Sequence, residues 1–210
     1  MISIGIVGHV DRDPYALADQ VSADVVSVDD GTLGSGGNHL RLLEMMRAGS
    51  SAWTVVLEDD ALPVDGFREQ LAMALEIAPS PIVGLYFQRH YPPAMRQPLN
   101  RATREADHVG ACWITGPQLW GVGYAIRGDV LDELLDDLQH ADHIDAAISE
   151  WAIQRGHRIA LTWPCLVDHL DGPSLITERV GTSARGPRRA WRAGTRTTWT
   201  ADAVELHSNP

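Results

Sequence analysis

The chain has 210 residues, is 44% hydrophobic and 21% charged, and carries a formal net charge of −11. That length suits one domain with a sizeable core, and no apolar stretch approaches the roughly 18 residues a membrane-spanning helix needs, so a soluble cytoplasmic protein is expected. All 17 basic residues are arginine, and six of them (Arg179, Arg185, Arg188, Arg189, Arg192 and Arg196) fall near the end, giving an acidic body and a basic tail. An acidic body disfavours nonspecific nucleic-acid binding, which depends on neutralising phosphates. The arginine tail leaves a local anion site open.

The N-terminus lacks a basic leader segment, and Ile2 to Val7 reads as a first strand. A second short strand spans Asp24 to Val28. Asp29, Asp30 and Gly31 end it, and a glycine-rich loop runs to Gly37. A helix is predicted from about Asn38 to Arg47, with Leu40, Leu43 and Met46 at helical spacing and Gly49 as its stop. Trp53 to Leu57 is the third strand. Asp65 can cap a helix that carries Phe67, Leu71, Ala74, Leu75 and Ala78 on one face. Ile82 to Phe87 is a fourth strand. This alternation predicts an α/β fold with a mostly parallel central sheet flanked by helices.

Residues 88 to 108 show no clear periodicity and read as a long loop. Ala111 to Thr115 and Gly121 to Ile126 read as paired strands around a Gly-Pro turn. Helices follow around Val130 to Leu138 and from about Asp145 to Arg155, and a late strand spans Arg158 to Thr162. Beyond Gly172 an extended tail wrapping the body is expected. Cys112 and Cys165 are isolated and read as small core residues, not a disulfide framework or a zinc site.

The chemistry concentrates where Val55, Val56 and Leu57 run into Glu58, Asp59 and Asp60. Adjacent carboxylates repel one another, and a hard divalent cation is the simplest counter-charge. Strand alternation sends Glu58 and Asp60 to one side and Asp59 to the other. Glu58 and Asp60 are therefore the expected functional pair, with Asp59 a structural partner. In open α/β sheets ligands bind beyond the carboxyl ends of the strands, where this cluster lies. A solvated acidic turn is the competing reading.

The segment Val55-Val-Leu-Glu-Asp-Asp-Ala-Leu-Pro63 resembles the Asp-x-Asp element of GT-A glycosyltransferases. It is most similar to the form found in family 25-like enzymes and small phage-encoded relatives. Gly34-Ser-Gly-Gly-Asn-His-Leu40, Trp120-Gly-Val-Gly-Tyr-Ala-Ile126, Asp145, Pro164-Cys-Leu-Val-Asp-His169 and Pro173-Ser-Leu-Ile176 resemble further elements in the same order. The resemblance covers roughly residues 2 to 176. It implies a GT-A (Rossmann-like) domain over 1–176, with an Arg-rich tail over 177–210 packing on it. It also implies a transferase using a nucleotide-diphosphate sugar, UDP-sugars favoured, together with Mn²⁺ or Mg²⁺. Asp60, Glu58 and His169 are the implied metal ligands; an imidazole ligand favours manganese.

Donor contacts are expected from His9 and Arg12 after the first strand and Asp29 after the second. Asn38 and His39, read as opening a helix, and Glu58 and Asp59 complete the set. His9, Arg12, Asp29, Asn38 and His39 can each equally be capping or loop residues. Asp145 is the candidate base or acceptor-orienting carboxylate, an ordinary helix cap being the alternative. His140, Asp142, His143 and Asp145 could suggest a second metal, though a solvated helix connection is favoured. Trp113, Trp120 and Trp163 could stack on a sugar, with one expected to face the acceptor. The tail admits three readings: a solvated arm, a lid over the diphosphate, or a contact for an anionic acceptor. The acceptor is expected to be a hydroxyl on a macromolecule, such as a phage virion protein. A modified DNA base is the rival acceptor, and a non-catalytic metal-dependent carbohydrate- or nucleotide-binding protein is the rival class.

Overall fold

Residues 1–49, 51–90, 92–170 and 187–207 are described by the computed structural model. The apolar runs become central strands, as burial on both sheet faces requires. β1 (Ile2–His9) and β3 (Trp53–Glu58) pair in parallel, with Ile4, Ile6 and Val55 to Leu57 fully buried. β2 (Val25–Asp29) lies on the outer side of β1. Two helices link these strands: α1 (Tyr15–Val21) and α2 (Gly34–Arg47). α2 buries Leu42, Leu43 and Met46 against the sheet. Gly5 makes the close approach possible, since a Cβ there would lie 2.5 Å from Met46 Sδ.

β4 (Ala61–Pro63) follows β3, then α3 (Phe67–Glu76) and β5 (Ile82–Gly84). A 3₁₀ turn (Pro93–Met95) leads into α4 (Arg96–Val109), then β6 (Trp113–Gly116) and β7 (Gly123–Arg127). α5 (Gly128–Asp137), α6 (Ile144–Gln154), β8 (Ile159–Thr162), β9 (Val167–His169) and β10 (Ala203–Glu205) complete the order. The eight-stranded sheet runs β10-β6-β8-β5-β7-β3-β1-β2, and β4 pairs with β9 in a separate ladder. Following the pairings, β1, β2, β3, β5 and β8 point one way, while β6, β7 and β10 point the other. The result is the mixed α/β class expected, a mainly parallel sheet flanked by helices.

Three local expectations are corrected, and one helix is added. The expected loop over 88–108 gives way to a helix from Arg96 on: α4 buries Leu99, Ala102, Thr103 and Ala106 at i, i+3, i+4 and i+7, a pattern diluted by the surrounding polar residues. Pro98 fits because it sits in the first turn, where a missing N–H costs little. β6 and β7 do not form a hairpin. β7 inserts between β3 and β5, where its buried Tyr124, Ala125 and Ile126 suit a central strand, and β6 pairs with β8 and β10. The cap of α3 is Gly66, in a left-handed conformation (φ 64°), not Asp65. α1 was not expected: it is only seven residues long and anchored by little more than Leu17, Ala18 and Val21.

The described part of the tail packs on the body and adds β10 in parallel to β6. Arg196 donates to the carbonyls of Gly110, Ala111 and Trp163, and Trp199 Nε1 donates to Gln70. Arg196 is therefore a structural pin. Arg179, Arg185, the Pro173 to Ile176 element and the expected boundary at 176–177 lie outside the described residues.

Candidate metal centre at the end of the third strand

β3 ends at Glu58, at the carboxyl edge of the parallel strands, and the turn that follows holds Asp59 and Asp60, so strand alternation alone does not divide the three carboxylates. Asp59 turns toward β1, where it accepts from the His9 backbone N–H (2.9 Å) and from Arg12 Nη1 (2.8 Å). Asp60 shares that guanidinium nitrogen, its Oδ2 lying 2.5 Å from Arg12 Nη1. Glu58 Oε1 lies 3.3 Å from His39 Nε2, and His39 Nδ1 in turn meets the Tyr124 hydroxyl at 3.0 Å.

His169 reaches this cluster through strand register. In the β4–β9 ladder it stands opposite Ala61, and Leu170 N–H donates to the Asp60 carbonyl at 2.8 Å. His169 Nε2 is thereby held 3.5 Å from Asp60 Oδ2. One ligand atom from each of Glu58, Asp60 and His169 falls within 4.8 Å of the others. It is the one such cluster of His, Cys, Asp and Glu among the described residues; His140, Asp142 and His143 do not form a second.

The donor set fits a hard or borderline divalent cation: two carboxylates and an imidazole. Two buried atoms, Asp60 Oδ1 and His169 Nδ1, lack a hydrogen-bond partner among the described residues. An unpartnered buried polar atom costs about 1–3 kcal/mol, so a ligand that met these two atoms would release free energy. The Asp60 carboxyl titrates above its ordinary range. Burial is the main cause and repulsion from Glu58 the second, with His169 and Arg12 pulling the other way. A cation among these groups would oppose both causes.

Asp145 comes close to the same place from α6. Gly121 separates it from Glu58: a Cβ on Gly121 would lie 3.2 Å from Glu58 Oε1 and 3.9 Å from Asp145 Cβ. Asp145 is not the cap of α6; that position is His143, and Asp145 sits in the first helical turn. Its half-buried side chain accepts from Ala146 N–H at 2.9 Å.

The other expected donor contacts divide differently. His9 is partly exposed at the edge and accepts from Asp11 N–H at 3.2 Å. Asn38 and His39 do not open a helix. α2 starts at Gly34, and both side chains are buried. The Asn38 amide is committed to Ser27, Gly8 and Arg41. Asp29 is buried and accepts from the Leu33 and Gly34 N–H groups, each at 3.2 Å. A protein carboxylate thus already fills the anion position at the start of α2.

Trp113, Trp120 and Trp163 are all buried. The half-buried tryptophan near the edge is Trp191, which its place in an arginine-rich tail disguised. Tyr124 was legible only as part of a Gly-Tyr strand, and its contact with His39 had no signal in the sequence. Both cysteines are free and buried, as expected, and burial pushes the Cys165 thiol up to about 12. No helix among the described residues is long and apolar enough to cross a membrane.

The sequence matches no protein-family profile and no curated protein. Two solved structures share part of the chain course. A197 from STIV has a TM-score of 0.49 at 11% identity, over 80% of this chain and 85% of its own. A glycosyltransferase involved in the glycosylation of the major capsid of PBCV-1 has a TM-score of 0.41 at 11% identity, over 82% of this chain and 94% of its own. At those scores neither likeness carries an argument about function.

Proposed function

We propose that the chain is a metal-dependent glycosyltransferase that moves a sugar from a nucleotide-diphosphate sugar to a hydroxyl of a macromolecular acceptor. One observation carries the reading: Glu58, Asp60 and His169 converge at the carboxyl end of β3, with buried atoms of two of them unpartnered. The motif resemblance supplies the class of reaction, and the open edge of the parallel sheet supplies a place for the donor.

In this reading Asp60, Glu58 and His169 hold Mn²⁺ or Mg²⁺, Mn²⁺ being favoured by the imidazole. The cation, when bound, supplies charge neutralisation at the donor diphosphate. Tyr124 and His39 fix the rotamer of Glu58. Asp59 anchors the His9 to Arg12 segment, and the Arg12 guanidinium offers donors to anionic oxygens. Asp145, near Glu58 across Gly121, orients the acceptor hydroxyl or takes its proton.

The test is thermal stability across UDP-, GDP- and dTDP-sugars with and without Mn²⁺, combined with an assay for slow donor hydrolysis. Metal-dependent stabilisation by one nucleotide class is expected, and Asp60→Ala should abolish it. Inertness toward every donor sinks the enzyme reading. Undiminished metal-dependent binding in Asp60→Ala overturns the ligand assignment.

A further inference from the structure

The net charge of −11 conceals a local reversal. The segment 88–108 carries Arg89, Arg96, Arg101 and Arg104, and the segment 187–196 carries Arg188, Arg189, Arg192 and Arg196. These two segments meet. Trp191 N–H donates to the Phe87 carbonyl at 2.8 Å, and Gln88 bridges to Ala190. Between them lies an open groove of about 390 Å³, lined by Arg89, Arg104, Arg192, Asp107, Trp163 and Trp191 among others.

The groove combines planar cations with aromatic rings. The Arg192 guanidinium lies 4.0 Å from the Trp163 ring centre, and that of Arg89 lies 5.1 Å from the Trp191 ring centre. Phe87 backs both indoles, at 5.8 and 6.4 Å. Asp107 accepts from both terminal nitrogens of Arg192, at 3.0 and 2.5 Å, and so offsets one of the charges. Arg89 and Arg104 meet no carboxylate among the described residues, and both are exposed. Two unneutralised arginines at the mouth of an indole-walled groove suit a ligand with one or two anionic oxygens on a flat, partly apolar body. The small volume and the acidic body oppose an extended polyanion.

The groove opens on the same sheet edge as the carboxylate cluster. Arg89 follows β5 and Trp163 follows β8, and both strands point the same way as β3. In the order β8-β5-β7-β3 the groove lies two to three strands from Glu58. At about 4.8 Å per strand that is roughly 10–15 Å. A direct link also exists: Ala190 N–H donates to Asp168 Oδ1 at 2.7 Å, next to His169.

We infer that this groove is the acceptor subsite, and that it takes an acidic saccharide, anchoring a carboxylate or phosphate group on Arg89 and Arg104 and resting a sugar face on Trp191. The inference rests on the glycosyltransferase reading for the word acceptor, while the binding itself does not. The anchor stands away from the reaction centre, so the hydroxyl to be glycosylated belongs to a different unit of the same saccharide.

The test is a fluorescence or calorimetric titration of the whole protein in EDTA without nucleotide, so that it succeeds or fails independently of donor and metal binding. The ligands are a hyaluronan tetrasaccharide for the carboxylate and glucose 6-phosphate for the phosphate, with maltotetraose as the neutral control and oligothymidylate as the rival. Saturable binding of at least one acidic sugar is expected. It should be weakened about tenfold or more in Arg89→Gln/Arg104→Gln and in maltotetraose relative to the hyaluronan fragment. An unchanged unfolding midpoint confirms that the double variant is folded, and Trp191→Leu gives a second, uncharged route to the same loss. Failure of both acidic sugars to bind, equal binding of maltotetraose, or equal binding by the variants overturns the inference. Tighter binding of oligothymidylate than of either sugar overturns it in favour of a nucleic-acid groove.

Discussion

His169 Nε2 stands 3.5 Å from Asp60 Oδ2, with both side chains buried, and the remaining polar atom of each ring or carboxylate is unpartnered among the described residues. The ladder of β4 with β9 fixes this contact, so His169 is held by backbone hydrogen bonds and not by its own side-chain rotamer alone. If the imidazole is a ligand, its loss should discriminate between metals. His169→Gln is expected to weaken Mn²⁺ binding about tenfold or more while changing Mg²⁺ binding less, because imidazole suits Mn²⁺ better. Electron paramagnetic resonance titration of Mn²⁺, with Mg²⁺ as competitor, reads both. Equal losses for the two ions would remove His169 from the ligand set.

Arg12 holds the carboxylate pair together when no other cation does. Its Nη1 lies 2.5 Å from Asp60 and 2.8 Å from Asp59, both carboxylates being almost fully buried. Removing one partner of a buried ion pair typically costs 3–5 kcal/mol. Arg12 keeps about a quarter of its side chain in solvent, so Arg12→Gln is expected to cost less, about 2 kcal/mol. A bound divalent cation should recover much of that loss. The variant's melting temperature is therefore expected to rise more with Mn²⁺ than that of the unmodified chain. A variant as stable as its parent in EDTA would show that the pairing carries no weight.

The Asp60 titration gives a pH dependence with a definite sign. Its folded-state value is raised above the ordinary 3.8, chiefly by burial and then by Glu58. The folded state thus keeps the proton to a higher pH than the unfolded state does. Asp60 favours folding most below the ordinary value, and that contribution falls as pH rises between the ordinary and the raised value. Asp60→Asn, which cannot titrate, should become progressively more stable relative to the parent over that window when metal is absent. Denaturant unfolding in EDTA across acidic to neutral pH measures the difference. A constant difference would place the Asp60 titration elsewhere.

How much of this was readable beforehand depends on how local each signal is. The runs Ile4 to Val7 and Val55 to Leu57 announce buried strands because continuous apolarity has one cheap solution in a parallel sheet. Glu58, Asp59 and Asp60 are legible as one cluster because they are consecutive, but strand alternation separates them only in part: Asp60 joins Glu58 and His169 while sharing Arg12 with Asp59. α4 escaped because its buried stripe is short and built partly of alanine and threonine among arginines, so periodicity did not rise above the polar background. The place of β7 between β3 and β5 is a non-local choice that nothing in the Gly121 to Ile126 segment encodes. Trp191 and Arg89 meet only because two distant segments pack together, and the relay from Tyr124 through His39 to Glu58 likewise joins three elements. Chemistry written into one segment was legible from the residues alone, whereas of the chemistry assembled across elements only the approach of His169 to Glu58 and Asp60 was expected, through the motif resemblance.

That relay supplies a last test, because the structure offers a built-in control. The Tyr124 hydroxyl meets His39 Nδ1 at 3.0 Å, while the equally buried Tyr86 hydroxyl has no partner among the described residues. Tyr124→Phe leaves a buried ring nitrogen unpaired, which should cost about 1–3 kcal/mol, and frees the imidazole that orients Glu58. Loss of such a supporting contact typically weakens a metal site 10–100-fold, so Mn²⁺ affinity is expected to fall by about tenfold. His39→Ala should do the same, and the double variant should be no worse than the worse single one, since both break one chain of contacts. Tyr86→Phe removes a hydroxyl that was already unsatisfied and is expected to leave the metal-free protein as stable or about 1 kcal/mol more so. Calorimetric unfolding with Mn²⁺ titration on all four variants reads both quantities. If Tyr86→Phe and Tyr124→Phe behave alike, the Tyr124 contact does not position Glu58, and the cluster at the end of β3 is held by Arg12 and the β4–β9 ladder alone.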